Sequence, residues 1–521
     1  MLKSHFRSTL FLFLFPIFIT CFSPELMGAD EKKEKKEKKE KKEKKKVGMK
    51  DKSGKDTTGE FSKDQRTIRI KNGTEGIEAK QFKDFTLLRK VILPKGLTSI
   101  GAEAFSGCKS LESIEIPDSV TEIGKNAFEK CEKLTIIKLP SGISTIEEGT
   151  FKGCKMLAKV ILPESVEKID KNAFDGCSAL TEFSLPKQIT EIGEKAFQGC
   201  SLLDRINLPD GITKIGGKAF SGCHSLSHIK IPASVTEWAD NPFGNCRKLT
   251  ITLAPKHPEF FQYKGVIYSI DKTTVLHYSA KNKQASYTPP KQIKTIGAGA
   301  FAGSYNLRAI RFPATLETVQ DGAFSDCSNL STVLFQNPEI SLGKEMFSNC
   351  INLKQIILPG KCTELPEKIF SGCSRLSQIT LPAELEKIGD NAFEKCIGLR
   401  QIIFPKALTT LGKNVFSGCT NLAVVALPKN LQEIGEACFE KCVKLQEMII
   451  PEGVAVIKKK TFSGCLSLWK LVLPKSVENI EEGAFEKCGK LSKVFTSNKD
   501  LEANEDVFGK KIKLIKPRTK R

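Results

Sequence analysis

The chain has little with which to do chemistry. Among its 521 residues are five histidines and two tryptophans. Neither Gly-Lys-Ser nor Gly-Lys-Thr occurs, which excludes a standard P-loop. No Cys-x-x-Cys pair with a matching second pair is present, so the usual spacing of a tetrahedral zinc site is missing too. His224 and His228 lie four apart, yet no carboxylate or second histidine pair joins them in phase, and they read as surface residues. The loose Gly-x-Gly-x-x-Ala of Gly297 to Ala302 lacks the strand-then-helix context of a dinucleotide site. Eighteen cysteines fall well short of the roughly 8–10% that marks a small disulfide scaffold. No catalytic, cofactor-binding or metal-ligating set emerges, and the expectation is a chain that is not an enzyme.

A formal net charge of +21 suggests an anionic partner until its placement is considered. Asp30 to Lys52 hold 13 Lys against seven acids in a Glu-Lys-Lys pattern, and residues 509–521 hold seven basic residues and no acid. The body between is mildly basic and has no basic stripe interleaved with aromatics, which argues against nucleic acid. The Lys/Glu stretch reads as a solvated spacer. At the start, Lys3, His5 and Arg7 precede an almost wholly apolar run over residues 10–22, too short for a permanent membrane span and right for a secretory signal. Export is expected, with two processing routes open. One is cleavage after Ala29; the other is lipid attachment at Cys21, the only membrane attachment the sequence offers.

One period organises the rest. Cysteine recurs every 23 residues from Cys108 to Cys246 and again from Cys327 to Cys488, fifteen of the eighteen being in phase. Phenylalanine precedes each by three residues, as in Phe105 and Cys108, Phe128 and Cys131, Phe393 and Cys396, or Phe462 and Cys465. In the coil from Leu111 to Cys131, Ile114 and Ile116 alternate with polar neighbours, which predicts a short strand, and Pro117 stops it because proline cannot donate a ladder hydrogen bond. Val120 and Ile123 turn the chain onto a second side, and Ala127-Phe128 return it through a short helical or turn-like segment. Such a unit cannot bury its own apolar side, so seventeen coils stack as a solenoid. The cysteines read as small buried hydrophobes at an inner corner, since stacked chains hold Cβ atoms near 4.8 Å, wider than a disulfide's roughly 3.8 Å.

The period breaks once, between Cys246 and Ser304, where about 35 extra residues occupy 254–288 and all five tyrosines fall in or beside them. Short alternating runs there predict a β-hairpin outgrowth whose aromatics pack on the solenoid, with a binding knob as the other reading. Outside the break, the residue between the two inward strand positions points away from the core. Before it, this slot is mostly polar, as at Glu115, Lys138 and Asn207, and ends at Leu253; after it, Leu334, Ile357, Ile403, Ile449, Val472 and Phe495 make an apolar ribbon with Val424 and Trp469 beside it. A contiguous exposed apolar stripe more often marks a contact surface than not, though β-propensity alone also favours such residues.

The repeated Leu-x-x-Ile-x-Leu-Pro-x-x-Val-x-x-Ile-Gly-x-x-Ala-Phe-x-x-Cys resembles the treponemal-type leucine-rich repeat of BspA-like surface proteins, over about residues 66–508. The resemblance implies a surface or secreted binding protein, taking host extracellular matrix or another cell as ligand, with no catalytic or cofactor residues. The expected fold is an α/β leucine-rich-repeat right-handed solenoid with a parallel β-sheet on the concave face, short helical or turn segments on the other side and one β-hairpin insertion. The expected organisation is a signal peptide over 1–29, spacer 30–65, first solenoid half 66–253, insertion 254–288, second half 289–508 and basic tail 509–521. A self-associating coat or spacer protein is the alternative function.

Overall fold

In a computed structural model, residues 59–501, 507 and 513–516 are described. The signal segment, Cys21, the Lys/Glu spacer and most of the basic tail lie outside them.

Each coil contributes two strands. The first is three residues long in most coils, as in Ile136–Lys138, with the middle side chain buried and its neighbours exposed. It pairs in parallel with the same segment one coil on, Ile137 opposite Val160. A second, two-residue strand makes another wall; Ile169 of Lys168–Ile169 lies between Ile146 and Ile192. Away from the insertion and the last strand the register is one repeat, because a slip of one residue would turn every buried side chain outward. At the first end, Glu60–Phe61 caps the sheet antiparallel to Thr67–Arg69. At the other, Lys513–Ile515, within the basic tail, adds a parallel strand to Lys493–Thr496.

The helical return expected on the far side is absent, and the α/β class is corrected to a β-solenoid. Between Gly59 and Asp500 no residue is helical. The return is a third wall of stacked turns. In one coil the amides of Glu103, Phe105 and Gly107 donate to Lys125, Ala127 and Glu129 of the next, at 2.7–2.8 Å, while those of Ala104, Ser106 and Cys108 donate three residues back within the coil. Two left-handed residues four positions apart cause this alternation: Glu103 has φ 56° and Gly107 φ 75°, and the next coil repeats it at Asn126 and Lys130. A left-handed residue breaks the α-helical bonding pattern and aims alternate amides at the neighbouring coil. Backbone bonds of this turn wall tie coil to coil along most of the array, while the two strand walls are bonded in runs of two to six strands.

Inside, the phenylalanines stack. Ring centroids from Phe82 and Phe105 to Phe220 and Phe243 are 5.3–5.6 Å apart and near parallel. The stack resumes at Phe301 and runs to Phe485. Every ladder thiol donates to the carbonyl of the phenylalanine one coil before, as Cys108 Sγ does to Phe82 O at 3.0 Å and Cys396 Sγ to Phe370 O at 3.2 Å.

The insertion is built into the array. Phe260–Tyr263, Val266–Ser269 and Thr274–Tyr278 form an antiparallel meander, and the third strand then pairs in parallel with Thr295–Ile296 as a second-wall strand. Tyr278 takes the phenylalanine slot of this coil: its amide donates to Ala300 O at 2.7 Å and its ring lies 4.8 Å from Phe301. Both strand walls are interrupted here, one ending at Glu237–Trp238 and the other at Thr250–Leu253. The core cluster of the second half begins at Val266. Just before the seam the first wall loses one residue. Lys230 pairs with Thr252, so Leu253, expected outward, sits opposite buried Ile231.

Candidate partner-binding surface

The second half of the first wall carries the site. Its strands hold their middle residues inward, such as Ile356, Ile402 and Met448, and expose the residues on either side. Leu334, Ile357, Ile403, Ile449, Val472 and Phe495 share one outward column, with Thr380 and Ala426 between them. Exposure is 72% at Ile357, 80% at Ile403 and 59% at Ile449. Leu334 and Phe495 are also exposed, whereas Val472 is half-buried. Val424 is 62% exposed but belongs to the neighbouring column, opposite Gln401. Trp469 is exposed just ahead of Lys470–Leu473, with the Lys470 ammonium 5.8 Å from its ring and paired to Glu447 at 2.9 Å.

A groove of about 660 Å³ opens at one end of the ribbon, a feature sequence reasoning missed. Leu334 and Ile357 supply its apolar side, and Thr332, Gln336, Gln355 and Gln378 its polar side. Its signal is a departure from the repeat: Gln336 stands where most coils place a strand-ending proline. Asn337 repairs the bend by donating from Nδ2 to Leu316 O at 2.9 Å and accepting from Glu339 N at 2.9 Å.

The ladder residues lie elsewhere. Phe105, Cys108, Phe128, Cys131, Phe393, Cys396, Phe462 and Cys465 are all fully buried. Burial pushes the Cys108 thiol up to about 12 and holds Cys131, Cys396 and Cys465 well above the ordinary thiol range. All described cysteines are free, and a neutral, enclosed thiol is neither a nucleophile nor a ready metal ligand. Cys362 alone among them is half-buried, its Sγ donating to Glu364 O at 3.0 Å. His224 meets Asn245 O at 3.1 Å and His228 meets Thr252 Oγ1 at 3.4 Å, so each is engaged with its own neighbour. Among the described residues no group of three or more His, Cys, Asp or Glu is placed to hold a metal. Among the same residues no helix is long and apolar enough to cross a membrane.

A family model described as BspA type leucine rich repeat region (6 copies) matches residues 60–181, 121–250, 277–400 and 386–515. A search of the curated proteins finds no match. Among solved structures, the chain is similar to a leucine rich cell surface protein from Faecalibacterium prausnitzii, at 22% identity over 85% of this chain and 93% of that one, with a TM-score of 0.41. It is also similar to a leucine-rich repeat protein from Bacteroides ovatus, at 26% identity over 81% of this chain and 94% of that one, TM-score 0.33. A leucine-rich repeat protein from Eubacterium ventriosum matches at 21% identity over 86% and 96% of the two chains, TM-score 0.37.

Proposed function

We propose, from the premise that this chain belongs to the BspA type leucine rich repeat family, that it is exported and binds a protein partner at the cell surface through the apolar ribbon of its first wall. The protein is a non-catalytic repeat scaffold. One observation carries the choice of surface: five large apolar side chains, Leu334, Ile357, Ile403, Ile449 and Phe495, stand exposed in a single column over eight coils, where the first half of the array accepts lysine, glutamate and asparagine. Water covers such a stripe at a cost that a partner removes, at about 25 cal/mol per Å² of apolar area. Affinity accumulates from many shallow contacts, as the repeat geometry dictates. The apolar run at residues 10–22 supports export, and the Lys/Glu stretch after it would hold the array away from the envelope. Mass spectrometry of the mature N-terminus distinguishes cleavage after Ala29 from lipidation at Cys21.

Ile403→Asp combined with Ile449→Asp tests the surface. Both side chains point outward, so circular dichroism and the melting temperature should stay within error of the parent while partner binding falls at least tenfold. Unchanged binding in a protein that melts normally overturns the ribbon as the contact site.

A further inference from the structure

We propose that the occupant of the ribbon is a second copy of this chain, laid face to face with its coils running in the opposite direction. This rests on the reading of the ribbon as the contact surface and goes beyond it by naming the partner.

The argument is one of period. Ile357, Ile403 and Ile449 stand 46 residues apart, one in every second coil, and the coils between place the smaller Thr380 and Ala426 in the same column. Coils step by about 4.8 Å, so knobs and notches alternate with a period of about 9.6 Å. An extended strand presents one face about every 6.8 Å and a helix about every 5.4 Å, and neither keeps step with that spacing. Another copy does so by construction. Backbone bonds of the turn wall join coil to coil through this half, from Glu345 to Lys459, and hold the coil spacing, so two such faces stay in step over several coils.

The pairing has one self-complementary register. A two-fold axis parallel to the strands, between the coils of Ile403 and Ala426, sets each Ile403 on the partner's Ala426. It also sets Ile449 on Thr380 and Ile357 on half-buried Val472. The flanking columns agree in charge. Lys354 comes opposite the Trp469 ring, a cation–π arrangement. Lys470 meets Gln355, Glu447 meets Gln378 and Lys493 meets Thr332, so within this column no like charges oppose each other. The other face-to-face two-fold, with coils running the same way and its axis along this column, puts Ile403 on Ile403 and Ala426 on Ala426, so that knobs meet knobs and notches meet notches. Eight coils occupy about 38 Å, and three columns of side chains are about 13 Å across. The pair therefore buries on the order of 1,000 Å² in total, at the lower end for a specific interface. A reversible, concentration-dependent C2 dimer is the expected species.

The test uses sedimentation of the full chain across a hundredfold concentration range, together with Thr380→Cys/Ile449→Cys. Within one chain these two positions are three coils apart, about 14 Å, too far for a disulfide. Across the proposed interface they face one another. A concentration-dependent dimer, a covalent dimer on oxidation of the double variant but of neither single variant, and an Ala426→Arg variant that dimerises at least tenfold more weakly support the proposal. A monomer at every concentration, or a dimer that neither cross-links nor responds to Ala426→Arg, overturns it. If the chain is monomeric while Ile403→Asp/Ile449→Asp abolishes capture of a separate protein ligand, the second copy is ruled out and the ribbon stands. If the chain is monomeric and those substitutions change nothing, both readings fall.

Discussion

At the scale of single residues, one phenylalanine and one cysteine per coil do different work at the same corner. The ring is the packing unit: Phe393 lies 5.5 Å from Phe370 on one side and 5.5 Å from Phe416 on the other. Phe393→Ala removes both contacts and leaves a void that the fixed backbone of the turn wall cannot collapse. It should cost about 3–5 kcal/mol in chemical denaturation. The thiol is a hydrogen-bond donor small enough for the corner, and Ser304 shows what a shorter donor does there, since its buried Oγ finds no partner. Titration of the thiols gives the array a basic limit. Burial raises Cys108, Cys327, Cys373 and Cys419 from 9.0 to about 12. An acid whose folded pKa is raised stays protonated in the native state after the unfolded chain has lost its proton. Stability is therefore fully present below about pH 9 and falls between about pH 9 and 12, by about 1.4 kcal/mol per pH unit for each fully separated thiol. A melting temperature that holds steady from pH 7 to 8.5 and drops steeply above it is the expected profile; a flat profile to pH 11 would contradict the burial.

At the scale of elements, the seam at residues 238–304 is the weak joint. The strand walls stop here as they do at several other boundaries, but here the turn-wall bonds, which reach Asp240, Pro242 and Gly244 from the coil before, end too, and the ring stack is broken between Phe243 and Tyr278. Of the five buried side-chain polar atoms without a partner among the described residues, Trp238 Nε1, Asn245 Oδ1, Tyr278 OH and Ser304 Oγ all lie here. Side chains bridge it instead, notably Asn245 Nδ2 donating to Asp326 Oδ2 at 2.9 Å. Each enclosed unpaired group costs about 1–3 kcal/mol, so cooperativity should fail here first. Urea unfolding followed by circular dichroism should show two transitions, and in a Trp469→Phe variant the fluorescence of Trp238 should change in only one of them.

How far the sequence spoke depends on the element. The 23-residue period, the strand positions and the buried phenylalanine and cysteine ladders were legible, because burial imposes a strict choice of residue type at each of those positions, and the outward placement of the column followed from the alternation along each strand. The third wall was not. Its left-handed positions are often held by Lys, Asn or Glu, as at Lys395, Asn391 and Glu345, so no run of glycines announces them. Ala-Phe looks like the start of a helical turn. The insertion was legible as an interruption, yet the replacement of a ladder phenylalanine by Tyr278 concealed that its last strand rejoins the array. One lost residue was enough to move Leu253 off the outward column.

At the scale of the whole molecule, the backbone bonds between coils all run roughly along the direction in which the array grows. That geometry has a mechanical consequence. A load applied between the two ends does not shear many hydrogen bonds at once; it peels one coil from the next, and the bonds on that single boundary yield together. Each released coil pays out 23 residues, roughly 75–80 Å of chain when extended. Single-molecule stretching should give a regular sawtooth with that step, with the first ruptures at the seam. A protein held at a surface by one end would then yield to drag in small, refoldable increments, lengthening under tension without letting go.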